Sequence, residues 1–350
     1  LLVNGVIAGL GSVLVFLPQI TILFAFILLL EDSGYLPRAA FLLDNLMAKS
    51  GLSGRSFIPL LSSFACAVPA VMSARTINDP RERLVTIAVA PLLTCSARLP
   101  VYALIIAAVI PNRTVGGIFN LQGLTLFILY LAGILSAALA AYIMKRLARM
   151  KGNVQQFPLL MELPTFRTPN FKHIMTSLWD RVKAFLKRAG TIIFALAVVL
   201  WGLVSWPQPP AGATGAAIDY SLAGMLGHAI QPLFAPLGFT WEMCIAMIPG
   251  IAAREVVVAA LGTVYAVSAS SEDAVQNALI PIVHNNWGLP TAFAFLAWYV
   301  YAPMCAATLA VIKRETKSTK NMVMITGYLF LMAYFAAFVV YQITSRILSS

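Results

Sequence analysis

The stretch from Gly51 to Arg98 constrains this chain more than any other. Its apolar runs are too long for a loop in water, yet Pro59, Pro69 and Pro91 interrupt them, with Cys66, Cys95 and several hydroxyls beside the interruptions. A helix broken inside a bilayer frees backbone carbonyls and amides that hydrocarbon cannot satisfy. Such breaks persist where they are buried in protein or line a polar cavity, and in transporters that cavity is commonly the binding site. Composition places the breaks in a membrane. Of 350 residues, 60% are hydrophobic and 11% charged, with a mean hydropathy of +0.85, whereas a soluble domain carries about 25% charged residues. The expected fold is an all-α polytopic membrane helix bundle, with proline-broken or re-entrant gate helices in two pseudo-repeated halves.

The net charge of +11 is no nucleic-acid footprint, because excess Lys and Arg in a membrane protein mostly mark cytoplasmic loops. Lys145–Arg188 is dense in both, with only Glu162 and Asp180 as acids, and Lys313–Lys320 is a shorter basic loop. Both are expected inside, and Phe171–Arg188 reads as a basic amphipathic helix on the membrane surface. Apolar length predicts spans at Gly5–Leu30, Leu84–Ile110, Leu121–Met144, Thr191–Trp206, Thr291–Ile312 and Met322–Ile343. Phe57–Ser73 reads as re-entrant, Ala223–Phe234 as a short apolar piece, and Trp241–Val267 as a longer one broken at Pro249-Gly250. Pro207–Tyr220 and the polar Ser268–Gly288 are expected outside as connections. This divides the chain into a first gate half (1–144), a basic cytoplasmic connection (145–188) and a second gate half (189–350). Counting spans back from the basic loops puts Leu1 outside. With no initial Met and no basic n-region, the sequence reads as a piece of a longer chain, preceded by a further span.

An internal echo supports the two halves. Ile248-Pro-Gly-Ile-Ala-Ala-Arg254-Glu255 resembles Val68-Pro-Ala-Val-Met-Ser-Ala-Arg75, and Ala302-Pro-Met-Cys305 resembles Ala90-Pro91…Cys95. Corresponding broken segments in two halves point to a transport site near the midplane. A single membrane cysteine usually packs as a small hydrophobe. Cys66 and Cys95, each beside a break, are better explained as lining one pocket, and thiols there suit a borderline-soft divalent metal. Glu255, inside a long apolar stretch, is a functional candidate by default, or else the structural partner of a pairing with Arg254. Glu31 and Asp32 close the first span either as a solvated helix end or as acids that attract a cation. Arg75 and Arg98 are expected to bind carbonyls freed by the breaks, and Cys305 to belong with the gate through the echo. Met243, Cys244 and Met247 share one helical face and read as core. His173, His228 and His284 are scattered. Gly51-Leu-Ser-Gly-Arg-Ser reads as a helix entry capped by its own hydroxyls. No CxxC, HExxH or GxxxxGK[ST] occurs, which argues against a zinc ribbon, an intramembrane metalloprotease and a nucleotide-binding loop within this chain.

The longer motifs carry a resemblance. Glu31-Asp-Ser-Gly-Tyr-Leu-Pro-Arg-Ala-Ala-Phe, Gly51-Leu-Ser-Gly-Arg-Ser-Phe-Ile-Pro-Leu-Leu, Phe64-Ala-Cys-Ala-Val-Pro, Thr94-Cys-Ser-Ala-Arg-Leu-Pro-Val-Tyr and Ala253-Arg-Glu-Val-Val-Val closely resemble the membrane domain of the bacterial ferrous iron transport protein B family. Its two gate motifs would map onto Gly51–Arg75, continuing to Arg98, and onto Pro249–Val264. The resemblance implies uptake of Fe(II) across the bacterial inner membrane. It implies gate cysteines at Cys66 and Cys95 and a gate glutamate at Glu255. It also implies an N-terminal cytoplasmic GTP-binding domain, which would hold GTP and Mg and which this chain lacks, so that the chain itself is no enzyme. Small accessory proteins and a homo-oligomer are further partners it implies, beside the lipid bilayer. One departure is Ala70, where the family pattern leads us to expect glycine; a methyl there stiffens the break. The competing reading is a nucleoside or other organic-solute carrier with related gate helices, which would want an aromatic, amide-rich site. A membrane enzyme or scaffold without transport would have no use for mirrored broken helices.

Overall fold

A computed structural model describes residues 18, 21–22, 24–49, 52–115, 119–149, 168–187, 191, 195, 198–199, 202–203, 206–207, 220–252, 254, 256–265 and 272–349. The expected spans Gly5–Leu30 and Thr191–Trp206 and the connection Pro207–Tyr220 lie largely outside these residues. The described chain is mostly helical: α1 (Tyr35–Lys49), α2 (Phe57–Ala65), α3 (Ala67–Ser73), α4 (Pro80–Val89), α5 (Leu99–Val109), α6 (Leu121–Arg149) and α7 (Phe171–Phe185). There follow α8 (Leu222–Phe234), α9 (Trp241–Ala252), α10 (Val256–Val264), α11 (Glu272–Asn286), α12 (Leu289–Tyr301), α13 (Ala306–Thr316) and α14 (Thr319–Ser349). A two-stranded antiparallel ribbon, β1 (Thr114–Val115) with β2 (Phe119–Asn120), turns the chain between α5 and α6.

Among the described residues, four stretches are long and apolar enough to cross a bilayer: Pro80–Val109, Leu121–Leu147, Leu289–Thr316 and Thr319–Leu348. The chain is a multi-pass membrane protein. Two of these stretches are unbroken, and only 22% of the most apolar part of each is buried; the two that contain a break are 67% and 61% buried. The order is what hydrocarbon demands, since intact helices satisfy their own backbone and can face lipid while broken ones cannot. Leu135, Leu139, Leu331 and Phe335 accordingly point outward. α14 presents Ala333 and Ala337 to the core, and this small-residue spacing lets α12 lie close along it. Phe234, Phe239, Trp298 and Phe330 lock the same region by edge contacts, with ring centres 5.1–5.2 Å apart at the Trp298 contacts with Phe234 and Phe330. α8 and α9 form a pair bent by 105°.

Two expectations need correction here. The stretch Ser268–Gly288 is not simply polar: most of it is α11, which buries Leu279 and Val283, with Trp287 just past its end, against α5, and His284 Nδ1 lies 2.7 Å from the Ala108 carbonyl. The acids hid an apolar face that recurs every four residues. In the described part of the Gly51–Ser56 entry, residues 52–56, the turn is not capped by its own hydroxyls either. Its amides are met by carboxylates from two other helices, Gly54 N by Asp44 Oδ1 (2.6 Å) and Ser53 N by Glu82 Oε1 (2.5 Å), while Ser56 Oγ bonds Thr86 Oγ1 at 2.9 Å. A Cβ on Gly54 would stand 2.6 Å from the Ala40 carbonyl oxygen, a backbone atom that cannot step aside. Gly54→Ala is therefore expected to cost about 1–3 kcal/mol, the range of overpacking, read as a lower unfolding temperature in detergent.

α7 is amphipathic as expected. Asn170 caps it by accepting from Lys172 N and His173 N, and Ile174 and Leu178 bury against Phe24 and Leu28 of the helical residues 24–32. Arg181 pairs with Glu31 at 3.0 Å, and Asp32 Oδ2 accepts from Asn170 N at 2.7 Å. These bonds hold the end of the first apolar run against the start and middle of α7.

Candidate functional site

Four interruptions gather in the protein interior, and proline chemistry explains two of them. Pro69 has no N–H for the carbonyl four residues back, and its ring would strike it. That carbonyl belongs to Ala65. The chain breaks at Cys66, extended at φ −156°, ψ 132°, and the Ala65 oxygen instead accepts from Ser96 Oγ at 3.0 Å. Pro303 denies helical geometry to the residue before it, and α12 stops with Ala302 at φ −58°, ψ 139°. The chain then makes a tight turn about Pro303, Met304 N donating to Ala302 O at 2.8 Å, and is extended at Cys305, from which α13 starts. Cys66 and Cys305 thus occupy matching positions, each the last extended residue before a half-helix. Val68 and Ala307 pack together between them.

The prolines themselves are not the breaking points. Pro59 and Pro69 are each the third residue of a helix, where the missing N–H costs little, and Pro91 sits in the 3-10 turn Ala90–Leu92. Pro249 and Gly250 lie within α9, which runs on to Ala252; the interruption comes at Arg254. Gly250 serves close packing, since a Cβ there would come within 2.5 Å of Val257 Cγ2.

Two arginines collect the carbonyls that the breaks release. Arg98, fully buried, donates to the carbonyls of Pro91 (3.0 Å), Leu93 (3.3 Å) and Leu92 (3.5 Å). It staples its own turn and holds Thr94 and Cys95 in the extended segment before it. Arg254, also buried, reaches further. Nε donates to Met304 O at 2.8 Å, Nη2 to Ala302 O at 3.2 Å, and Nη1 to Cys95 Sγ at 3.7 Å. Its own carbonyl accepts from the Tyr299 hydroxyl, and Cys305 and Tyr102 lie within its electrostatic reach. Cys95 is buried, whereas Cys66 and Cys305 are half-buried.

The structure therefore brings Cys95, Arg254 and Cys305 together and sets Cys66 beside Cys305 through the Val68–Ala307 contact. It does not bring Glu31 and Asp32 there; their partners are Arg181 and Asn170. Glu255 lies outside the described residues. Among the described residues no three Cys, His, Asp or Glu side chains are close enough to hold a metal ion together. Arg75 departs from expectation, since it binds no freed carbonyl but forms a two-pronged bond with Glu315 at the end of α13. Those bonds raise its pKa above the usual arginine value. The contact ties the far ends of α3 and α13. Arg75→Glu is expected to destabilise that contact by about 1 kcal/mol, the upper end for a half-exposed pair, and Arg75→Glu with Glu315→Arg to restore it, measured as a double-mutant cycle in thermal unfolding. Met243, Cys244 and Met247 are core, all buried. Sequence reasoning overlooked Ser96 and Tyr299. Both were visible as polar groups within a turn or three residues of a break.

The architecture is that of a polytopic membrane protein whose broken helices meet at a thiol- and carbonyl-lined centre. Comparison with known proteins narrows it. The family model described as "Nucleoside recognition" matches residues 13–109 and 186–319, and that described as "Ferrous iron transport protein B C terminus" matches residues 126–181. A protein of Leptospira interrogans serogroup Icterohaemorrhagiae serovar copenhageni named Fe(2+) transporter FeoB is 42% identical over 98% of this chain and 50% of its own length. The proteins of that name from Leptospira biflexa and Staphylococcus aureus (strain COL) are each 40% identical over 98% of this chain, covering 50% and 49% of their own. No solved structure gives a significant match. The chain belongs to the FeoB family, and it spans about half the length of the curated relatives it matches.

Proposed function

We propose that this chain is the permease part of a ferrous iron importer in the bacterial inner membrane, with Fe(II) as its substrate. The observation that carries this reading is the contact set of Arg254, which draws a thiol from the first half and two freed carbonyls from the second around one buried point. Sulfur and oxygen together suit a borderline divalent ion, and no side-chain amide of the kind that reads a nucleobase is among these contacts. Iron enters from outside, sheds water onto Cys66, Cys95 and backbone carbonyls, and passes between α3 and α13 toward the cytoplasm. Glu255 supplies the hard anionic ligand. The GTP-binding domain that the family resemblance implies, with its Mg, gates this movement from the side of Lys145–Arg188 and Lys313–Lys320, and any accessory protein or second copy would act there as well.

The test is uptake by proteoliposomes containing the full-length protein, offered Fe(II), Zn(II), Mn(II) and a radiolabelled nucleoside in turn. Fe(II) accumulation that outpaces the other ions, with no nucleoside uptake, is the expected result. Nucleoside uptake without iron uptake would overturn the reading.

A further inference from the structure

We infer that the Arg254 guanidinium is a tethered cation that fills the iron position in the closed protein and must leave it when iron enters. This rests on the iron reading above and adds a gating element to it. A buried charge is costly in a membrane protein, and such groups are normally paired. Arg254 is 5% exposed, and the acceptors that hold its guanidinium are two backbone carbonyls and a thiol, none of them a carboxylate. What surrounds Arg254 instead is a coordination sphere: the Ala302 and Met304 carbonyls, the Cys95 sulfur, and Cys305 within electrostatic reach. Each nitrogen of the guanidinium meets one acceptor, so oxygen and sulfur ring the cation, and these are the atom types that a borderline divalent ion takes.

Arg98 provides the contrast. It is as deeply buried, but its acceptors all come from residues 91–93 of its own turn, so it is a staple. The acceptors of Arg254 come from a different break and from the other half of the chain. A guanidinium and a divalent ion a few ångström apart in this interior repel far beyond thermal energy, so the two occupy the centre in turn. The Tyr299 hydroxyl holds the Arg254 backbone through its carbonyl, which leaves the side chain as the part that moves. Its departure takes the side-chain donor from Met304 O, while Ala302 O keeps the bond from Met304 N, in the Pro303 segment that leads into α13. Entry of the ion would thereby loosen the inner half-helix.

The experiment titrates the full-length protein in detergent with Co(II), whose thiolate-to-metal absorption band reports binding at the cysteines. Arg254→Gln keeps hydrogen-bond donors but removes the charge, and is expected to bind Co(II) about tenfold more tightly or better than the unaltered protein, a gain of about 1.4 kcal/mol. A second measurement needs no substitution. Phenylglyoxal labelling of arginine, read by peptide mass spectrometry, should modify Arg254 several-fold faster once Co(II) saturates the band, while Arg98 stays protected. A saturated band with Arg254 still protected, or Co(II) affinity no higher in Arg254→Gln, overturns the tethered cation and leaves the iron reading standing. No thiolate band in either protein removes the thiol centre as a metal site, and the tethered cation with it.

Discussion

Fe(II) uptake by the full-length protein is expected to fall by at least about tenfold when Cys66 and Cys95 are both replaced by serine, with the amount of protein in the membrane unchanged. Losing even an outer partner of a metal ligand costs about 10–100-fold in affinity or activity, and here the ligands themselves change. Serine is nearly isosteric with cysteine, so the fold has little reason to respond. The Cys66 amide keeps its bond to Ser62 O, and the turn after Cys95 keeps the Arg98 N bond to Cys95 O. The chemistry does respond: a hydroxyl stays protonated at neutral pH and is a hard neutral donor, whereas a thiol can give up its proton and bind as a soft anion. Cys244 supplies the control. It is 1% exposed among core residues of α9, so Cys244→Ala should leave a cavity but normal uptake. Radiolabelled iron uptake in proteoliposomes decides the matter, and undiminished uptake by the double variant would remove the thiols from the mechanism.

The bilayer, the helical class and most span positions were legible in the sequence because they depend on local sums. Twenty apolar residues need a membrane whatever their neighbours are. The approximate places of the interruptions were legible too, because proline acts on its own backbone. Their exact positions were not. Pro69 forces its break three residues upstream, at Cys66, because the clash is with the carbonyl of Ala65. Pro249 forces none within α9, and the interruption at Arg254 lies beyond it. The echo was read by aligning Pro69 with Pro249, yet one follows its break and the other precedes it. In three dimensions the matching pair is Cys66 with Cys305, which sequence spacing alone does not align. Partner choice was the least legible. Glu31 and Asp32 read equally as a solvated helix end or as acids that attract a cation, and residues about 140–150 positions away partner them instead. Arg75 and Arg98 looked alike, and only the fold separates a surface pair from a buried staple.

That staple leads to the second large effect. Arg98→Met is expected to destabilise the protein by about 2–4 kcal/mol, the sum of opposed contributions. Removing the guanidinium leaves the Pro91, Leu92 and Leu93 carbonyls buried without donors, at about 1–3 kcal/mol for each well-made bond. The bonds at 3.0 and 3.3 Å count in full and the one at 3.5 Å counts little. Against this, methionine no longer carries a charge into the interior, a relief of several kcal/mol in principle. The relief is incomplete because the carbonyl cage that solvated the charge remains and now has nothing to solvate. In water the freed oxygens would find new donors, but within a bilayer none arrives. Arg98→Lys should fall between, because an ammonium is a point donor and cannot fork across three acceptors. Thermal unfolding in detergent, followed by tryptophan fluorescence, gives the order expected: arginine, then lysine, then methionine. A methionine variant as stable as the parent would mean that the turn finds other donors for residues 91–93. Cys95 would then owe its extended backbone to Ser96 and Ala65 instead, and uptake should become sensitive to Ser96→Ala.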